Sequence, residues 1–80
     1  MNIQIGSIVR AKAGRDKGGF FMVIGTQGGY ALIADGKRRR LEKPKKKNPL
    51  HLAPTNTVYE GSVKTNPQIK RILNPFQHGG

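Results

Sequence analysis

Three short stretches in the first half of the chain have the residue pattern of β-strands. In residues 7–12, Val9 and Ala11 would face one side of a sheet while Arg10 and Lys12 face the other. Residues 20–24 are apolar on both faces, so we expect another part of the chain, such as a terminus, to cover their outer face. Residues 30–34 predict a third strand.

Polar, glycine-containing segments separate these strands. Residues 13–19 predict a polar turn, and Thr26-Gln27-Gly28-Gly29 predicts a tight hairpin connection between the second and third strands. Asp35-Gly36 is a strong turn signal after the third strand. The pattern therefore indicates an antiparallel arrangement of sequential strands.

The next segment is strongly basic. Residues 37–41 predict a fourth strand that is almost wholly cationic, with Leu41 facing the core. Residues 43–49 hold a lysine run between two prolines, which favours an exposed loop because the charges repel and proline lacks an N–H. Residues 50–52 predict a short closing strand that ends at Pro54.

A short helix is predicted over residues 66–73. Asn66 is a favourable N-cap and Pro67 suits the first helical position, while Ile69, Ile72 and Leu73 share one face. The Asn74-Pro75 pair should end the helix, and residues 76–80 are expected to form a loose tail.

Together these elements predict a small all-β domain of four to five strands. We favour a closed β-barrel over an open antiparallel meander, since so few strands offer no other way to hide an edge. Residues 1–56 are expected to form the barrel, and residues 57–80 a C-terminal extension with the short helix and the loose tail.

The charge of the chain indicates which class of partner the protein binds. The 80 residues contain 15 Lys and Arg but only 4 Asp and Glu, for a formal net charge of +11. Eight of the 15 lie within residues 37–47, where Glu42 is the only acid. Such a surface favours a polyanion, either nucleic acid or an anionic membrane. With no cysteine, the chain has neither disulfides nor a thiolate metal site.

The glycine-centred loop and the strands around it resemble a KOW motif, in Ile8-Val9, Ala13-Gly14-Arg15 and Gly18. The similarity extends over residues 5–56 to the barrel of large-subunit ribosomal protein fourteen of archaea and eukaryotes, and short stand-alone KOW proteins of bacteria are also similar. It is carried by Gly6, Val23, Tyr30-Ala31-Leu32, Gly36, Arg38-Arg39-Arg40 and His51-Leu52-Ala53-Pro54-Thr55. The resemblance implies an SH3-like β-barrel that binds ribosomal RNA through loops and basic strands.

The candidate RNA-binding residues are the basic side chains of the strands, the turns and the lysine run. On a fourth strand, Arg38 and Arg40 would project to the same side and grip phosphates with their forked guanidinium groups. Backbone N–H groups of the loop at residues 14–19 could form an anion nest. His51 is included because it matches the family's His-Leu strand. The full set is Arg10, Lys12, Arg15, Lys17, Lys37, Arg38, Arg39, Arg40, Lys43, Lys45, Lys46, Lys47 and His51.

Base stacking and catalysis have less support. Phe20 or Tyr30 could stack on a base, but packing in the core is the more common use of so few aromatic residues. No two of the four acids are spaced to share a catalytic site, and His51 and His78 lack partners for a metal. We therefore expect no enzyme activity and no cofactor.

Three functions stay open at this level. The first is binding to ribosomal RNA of the large subunit by a cytoplasmic protein that is monomeric outside the ribosome and does not contact membranes. The second is a protein-interaction module in transcription or ribosome assembly, for which Phe20, Met22 and Ile24 would supply an exposed apolar patch. The third is nuclear import, because residues 44–47 resemble a basic import signal.

Overall fold

The computed structural model describes residues 3–78, and within them the chain forms five strands and one α-helix. The strands are β1 (Ser7–Ala11), β2 (Phe20–Gln27), β3 (Tyr30–Ala34), β4 (Lys45–Lys47) and β5 (Leu52–Val58). A 3₁₀ turn, Pro49–His51, joins β4 to β5, and helix α1 spans Asn66–His78. The first three strands confirm the predicted order, but β2 is longer than predicted: it continues to Gln27, so Thr26 and Gln27 are strand residues and only Gly28 and Gly29 form the connection to β3.

All five strands belong to one antiparallel sheet with the order β4-β3-β2-β1-β5. The edge strands β4 and β5 do not pair with each other, so the sheet is not closed and the prediction of a closed β-barrel rather than an open meander is wrong. Register shifts interrupt the β1–β5 pairing between Ser7 and Val9, and the β2–β3 pairing between Val23 and Gly25. At the first of these, the Thr55 hydroxyl donates to the Ile8 carbonyl at 2.8 Å, and irregularities of this kind bend and twist a sheet.

The sheet has a hydrophobic core on each face. One core contains only strand residues, namely Val9, Ala11, Phe21, Val23, Ala31, Ile33 and Leu52. In the other, Ile69 and Leu73 of α1 pack on Ile8, Met22 and Ala34. This second core explains why β2 is apolar on both sides, and it confirms that a C-terminal segment covers the outer face of that strand.

Helix α1 is longer than predicted and begins differently. The Thr65 hydroxyl, rather than the Asn66 side chain, accepts a hydrogen bond from the Gln68 N–H, at 3.3 Å. The helix continues through Pro75. Phe76 packs on Phe20 of β2 with the ring centroids 5.8 Å apart. The prediction of a loose tail is therefore wrong for residues 76–78, and Gly79 and Gly80 lie outside the described residues.

In the basic segment, the predicted positions of the strand and the loop are exchanged. Residues 37–41 form a turn rather than a strand, and the lysine run forms β4 rather than an exposed loop. The closing strand was predicted over residues 50–52, but residues 50 and 51 belong to the 3₁₀ turn, and β5 begins at Leu52 and continues past Pro54 to Val58. Since β5 is an edge strand, the missing N–H of Pro54 can face away from the sheet.

Candidate functional site

A groove of about 450 Å³ lies between the turn after β3 and strand β4. Six of its seven lining residues are cationic and none is acidic. They are Arg38, Arg39, Arg40, Lys43, Lys45 and Lys46, together with Pro44. We call this feature the basic groove. It brings together six of the thirteen basic residues that the sequence predicts as a binding site.

The turn that forms one wall of the basic groove is built around Asp35. Its carboxylate accepts hydrogen bonds from the N–H groups of Lys37 and Arg39, both at 2.9 Å. The N–H groups of Asp35 and Gly36 donate in return to the Arg39 carbonyl. These bonds satisfy the backbone locally, which removes the need for a partner strand and explains why residues 37–41 do not extend the sheet.

Arg39 differs from the arginines on either side of it. Its guanidinium lies 3.1 Å from the Asp16 carboxylate, in the loop between β1 and β2. Arg38 and Arg40 are exposed, and Arg40 lies 3.6 Å from the exposed carboxylate of Glu42. Arg39 therefore contributes to the groove mainly by joining its wall to the β1–β2 loop, while Arg38 and Arg40 present their charges to solvent.

Lys47 is also an anchor rather than a free charge. It is buried at the end of β4, and its ammonium group donates to the Ala13 carbonyl at 2.9 Å. Because β4 pairs with β3 in a defined register, Lys45 and Lys46 of the same strand are exposed and line the basic groove. The lysine run thus divides into one structural and two solvent-facing residues.

The β1–β2 loop extends the positive surface. A smaller groove of about 210 Å³ is lined by Arg15, Asp16, Arg38 and Arg39, and it shares two arginines with the basic groove. The predicted anion nest is wrong for the amides of Lys17, Gly18 and Gly19, because each already donates to a backbone carbonyl. Arg15, which lines the smaller groove, is the predicted binding residue of this loop that lies beside the arginines of the basic groove.

Five predicted site residues are exposed but line neither groove: Arg10, Lys12, Lys17, Lys37 and His51. His51 lies in the 3₁₀ turn, and its carbonyl accepts a hydrogen bond from the Lys12 N–H at 2.8 Å. In this geometry the backbone of His51 holds the end of β1. The predicted site is consequently a central groove with scattered charges around it.

Tyr30, which is a candidate for base stacking but not a member of the predicted site, adjoins the groove. The Nζ atom of Lys46 lies 5.0 Å from the centroid of the Tyr30 ring. The alternation along β3 could have shown which side of the sheet Tyr30 faces. Ala31 and Ile33 are buried in the first core, so Tyr30 must face the opposite side. Phe20, the other candidate for stacking, is packed against Phe76 instead.

Glu42 is the acid nearest to the basic groove in sequence, and it is held by neighbours. The Asn66 side-chain amide donates to its carboxylate at 2.9 Å. This hydrogen bond is the main reason why the pKa of Glu42 is lowered from 4.5, and a backbone hydrogen bond and the charge of Arg40 act in the same direction. Glu42 therefore remains charged and neutralises Arg40 in part.

Within residues 3–78, no group of three or more His, Cys, Asp or Glu residues is placed to bind a metal. In that same part of the chain, no helix has the length and apolar character that a bilayer crossing requires. Comparison of the sequence with protein-family models and with curated proteins gave no match.

Proposed function

We propose that the protein binds RNA through the basic groove, as a KOW-type protein with an SH3-like sheet that associates with ribosomal RNA of the large subunit. In this proposal it is cytoplasmic and catalyses no reaction. The observation that carries the proposal is the groove itself, in which six cationic side chains line one concave surface without an acid among them.

The arrangement of charges favours a polyanion as the ligand. Like charges held close together raise the free energy of the folded protein, and phosphates that enter the groove would relieve this repulsion. Cationic groups that neutralise phosphates also release counterions, which adds to the affinity. Arg38 offers a forked donor that can contact two phosphate oxygens, whereas Lys45 and Lys46 act as point charges.

Two features support the fold part of the proposal. The register shifts in β1 and β2 bend the sheet, as the curled sheet of an SH3-like barrel requires. The β1–β2 loop, which carries the residues most similar to a KOW motif, lies beside the groove through Asp16 and Ala13.

The alternative functions rest on residues whose positions differ from the sequence-based expectation. Met22 is buried, and Phe20 and Ile24 are partly buried against the second core, so these three side chains do not form the exposed apolar patch expected for a protein-interaction module. The lysine run expected to act as an import signal is paired in the sheet as β4, with Lys47 buried. A cleft of about 710 Å³ that includes Ile24 and the exposed Ile5 and Val58 keeps a protein partner as the second candidate, whereas within residues 3–78 no such feature favours an import signal.

A salt titration tests RNA binding directly. We expect the logarithm of the association constant for RNA to fall with the logarithm of salt concentration by about 0.7–0.9 per phosphate contact, with about four to six contacts. Filter binding with a structured RNA would measure the slope, and anionic lipid vesicles would serve as the competing polyanion. Affinity for RNA that does not change with salt, or equal affinity for the vesicles, would contradict the proposal.

Sedimentation of the native protein tests the ribosomal part separately. On a sucrose gradient the protein should travel with large ribosomal subunits, and high salt should release it because the contacts are electrostatic. A free peak, or a peak with RNA polymerase, would show that the partner lies elsewhere even if RNA binding holds.

A further inference from the structure

Tyr30 is the most exposed of the five aromatic residues, all of which lie within residues 3–78. Its relative exposure is 43%, whereas Phe21 is buried in the first core. Phe20, Tyr59 and Phe76 pack against the second core. A tyrosine that contributes to neither core gains little stability from its position, so its ring is available for contact with a ligand.

The surface around Tyr30 is open. Tyr30 and Leu32 face the same side of β3, and the residue beside Leu32 on β2 is Gly25, which has no side chain to stand above the sheet. Helix α1 covers this face only farther along, where it packs on Met22 and Ala34. The ring therefore lies on an uncovered end of the sheet.

Lys46 joins this surface to the basic groove. It lies opposite Leu32 in the β3–β4 register, and its ammonium group lies over one face of the Tyr30 ring, 5.0 Å from the ring centre. The same side chain lines the basic groove. A base could therefore stack on the face of the ring opposite Lys46 or take the place of that ammonium group, and the next phosphates along the strand could continue into the groove.

We propose that Tyr30 is a stacking platform for an unpaired base, and that the ligand of the basic groove is single-stranded RNA or a looped-out region of a folded RNA. This inference rests on the proposed RNA-binding function and specifies the form of the RNA. A duplex keeps its bases stacked on one another, so only an unpaired base can offer its face to an aromatic ring. Stacking on an aromatic side chain also adds affinity that does not depend on charge.

The test compares one RNA sequence in two forms. A short RNA that carries a single 2-aminopurine is used as a single strand and after annealing to its complement, with the wild-type protein, Tyr30→Ala and Tyr30→Phe. For the single strand we expect Tyr30→Ala to bind roughly tenfold more weakly and Tyr30→Phe to bind as wild type. Binding of the duplex should be the same for all three proteins.

Two further readouts separate stacking from a change in charge or in folding. The wild type and Tyr30→Phe should quench the 2-aminopurine fluorescence, and Tyr30→Ala should not. The salt dependence should be equal in all three proteins, because no phosphate contact is lost. Ile5→Ala is the matched control, since Ile5 is also an exposed apolar residue but lines a different cleft, and it should bind as wild type.

The outcomes distinguish this inference from the function on which it rests. Equal weakening of single-strand and duplex binding by Tyr30→Ala, or a loss in Tyr30→Phe as large as in Tyr30→Ala, would overturn the stacking role while RNA binding stands. If the wild-type protein binds neither form in a salt-dependent way, the proposed function itself is wrong.

Discussion

The Asp16 carboxylate lies 3.1 Å from the Arg39 guanidinium, and this pair joins the β1–β2 loop to the turn after β3. The side chain of Asp16 is only 3% exposed and that of Arg39 is 29% exposed. A carboxylate withdrawn from water needs its cationic partner, because an unpaired buried charge is costly. The two halves of the positive surface are therefore held together by one of the four acids in the chain.

Asp16→Asn should lower the free energy of unfolding by about 1–3 kcal/mol, less than for a fully buried pair because Arg39 keeps contact with water. Urea denaturation would measure the loss. Glu42→Gln is the matched control, since its pair with Arg40 is exposed on both sides and should contribute almost nothing. An equal loss in both variants would mean that the Asp16–Arg39 pair has no special role.

Lys47 and the two lysines before it should respond differently to substitution. Lys47→Met removes the donor to the Ala13 carbonyl, so it should lower the free energy of unfolding by about 1–2 kcal/mol and leave the salt dependence of RNA binding unchanged. Lys45→Ala with Lys46→Ala should reduce the salt slope by about 1.4–1.8, the effect of two phosphate contacts. A reduced slope in Lys47→Met would show that its charge reaches the RNA.

The two arginines that face solvent should matter less than those two lysines. Arg38→Ala with Arg40→Ala removes one free cation and one that Glu42 already neutralises in part, whereas Lys45 and Lys46 are both free of ion pairs within 4.0 Å in the described part of the chain. We expect the lysine double variant to bind RNA more weakly at physiological salt. Filter binding of the two variants would decide, and a weaker arginine variant would show that forked phosphate contacts outweigh free charge.

Gly36→Ala should loosen the contact between the sheet and α1. Gly36 has a φ of 79°, and a methyl group there would collide with the Asn66 carbonyl at the start of the helix. Gly18 also has a positive φ, of 89°, but a methyl group there would meet no atom within 4 Å. Gly18→Ala thus carries only the backbone strain of about 1–2 kcal/mol. Urea denaturation should show that Gly36→Ala loses more free energy of unfolding than Gly18→Ala, by roughly 1–3 kcal/mol, because of the collision. Equal losses in the two variants would show that the collision does not occur.

Glu42 should make a small contribution to stability that depends on pH. Because its pKa is lowered in the folded protein, mainly by the Asn66 hydrogen bond, the charged form favours folding. The contribution is present above the usual pKa of 4.5 and is lost as the pH falls through the lower folded value. An NMR titration should show that Asn66→Ala raises the pKa of Glu42 towards 4.5. No change in that variant would assign the shift to the backbone or to Arg40.

Local sequence patterns were sufficient to predict the strands that pair with the next strand along the chain. The alternation in β1 and β3 and the turn residues at Gly28-Gly29 define a meander of neighbouring strands, and local sequence carries that information. The buried face of α1 could also be predicted, because Ile69 and Leu73 are four residues apart and so lie on the same side of a helix.

The structure of the basic segment could not be predicted in this way. Its two halves are similar in charge, and residues outside the segment determine which half forms a turn and which forms a strand. Asp35 folds residues 37–41 into a turn, and distant carbonyl and carboxylate groups at Ala13 and Asp16 then bind Lys47 and Arg39. Likewise, Asn66 is not the N-cap because its side chain accepts from the Leu41 N–H, at 2.8 Å and 25 residues away.

The net charge of +11 and its concentration in residues 37–47 belong to the sequence alone, as do the first three strands. Which of those charges face solvent was decided by tertiary structure, because a buried acceptor can hold a lysine or an arginine only after distant segments have met. The exposure of Tyr30 was decided in the same way. Helix α1 docks on one end of the sheet face, so Phe20 is covered while the ring of Tyr30 remains beside the basic groove.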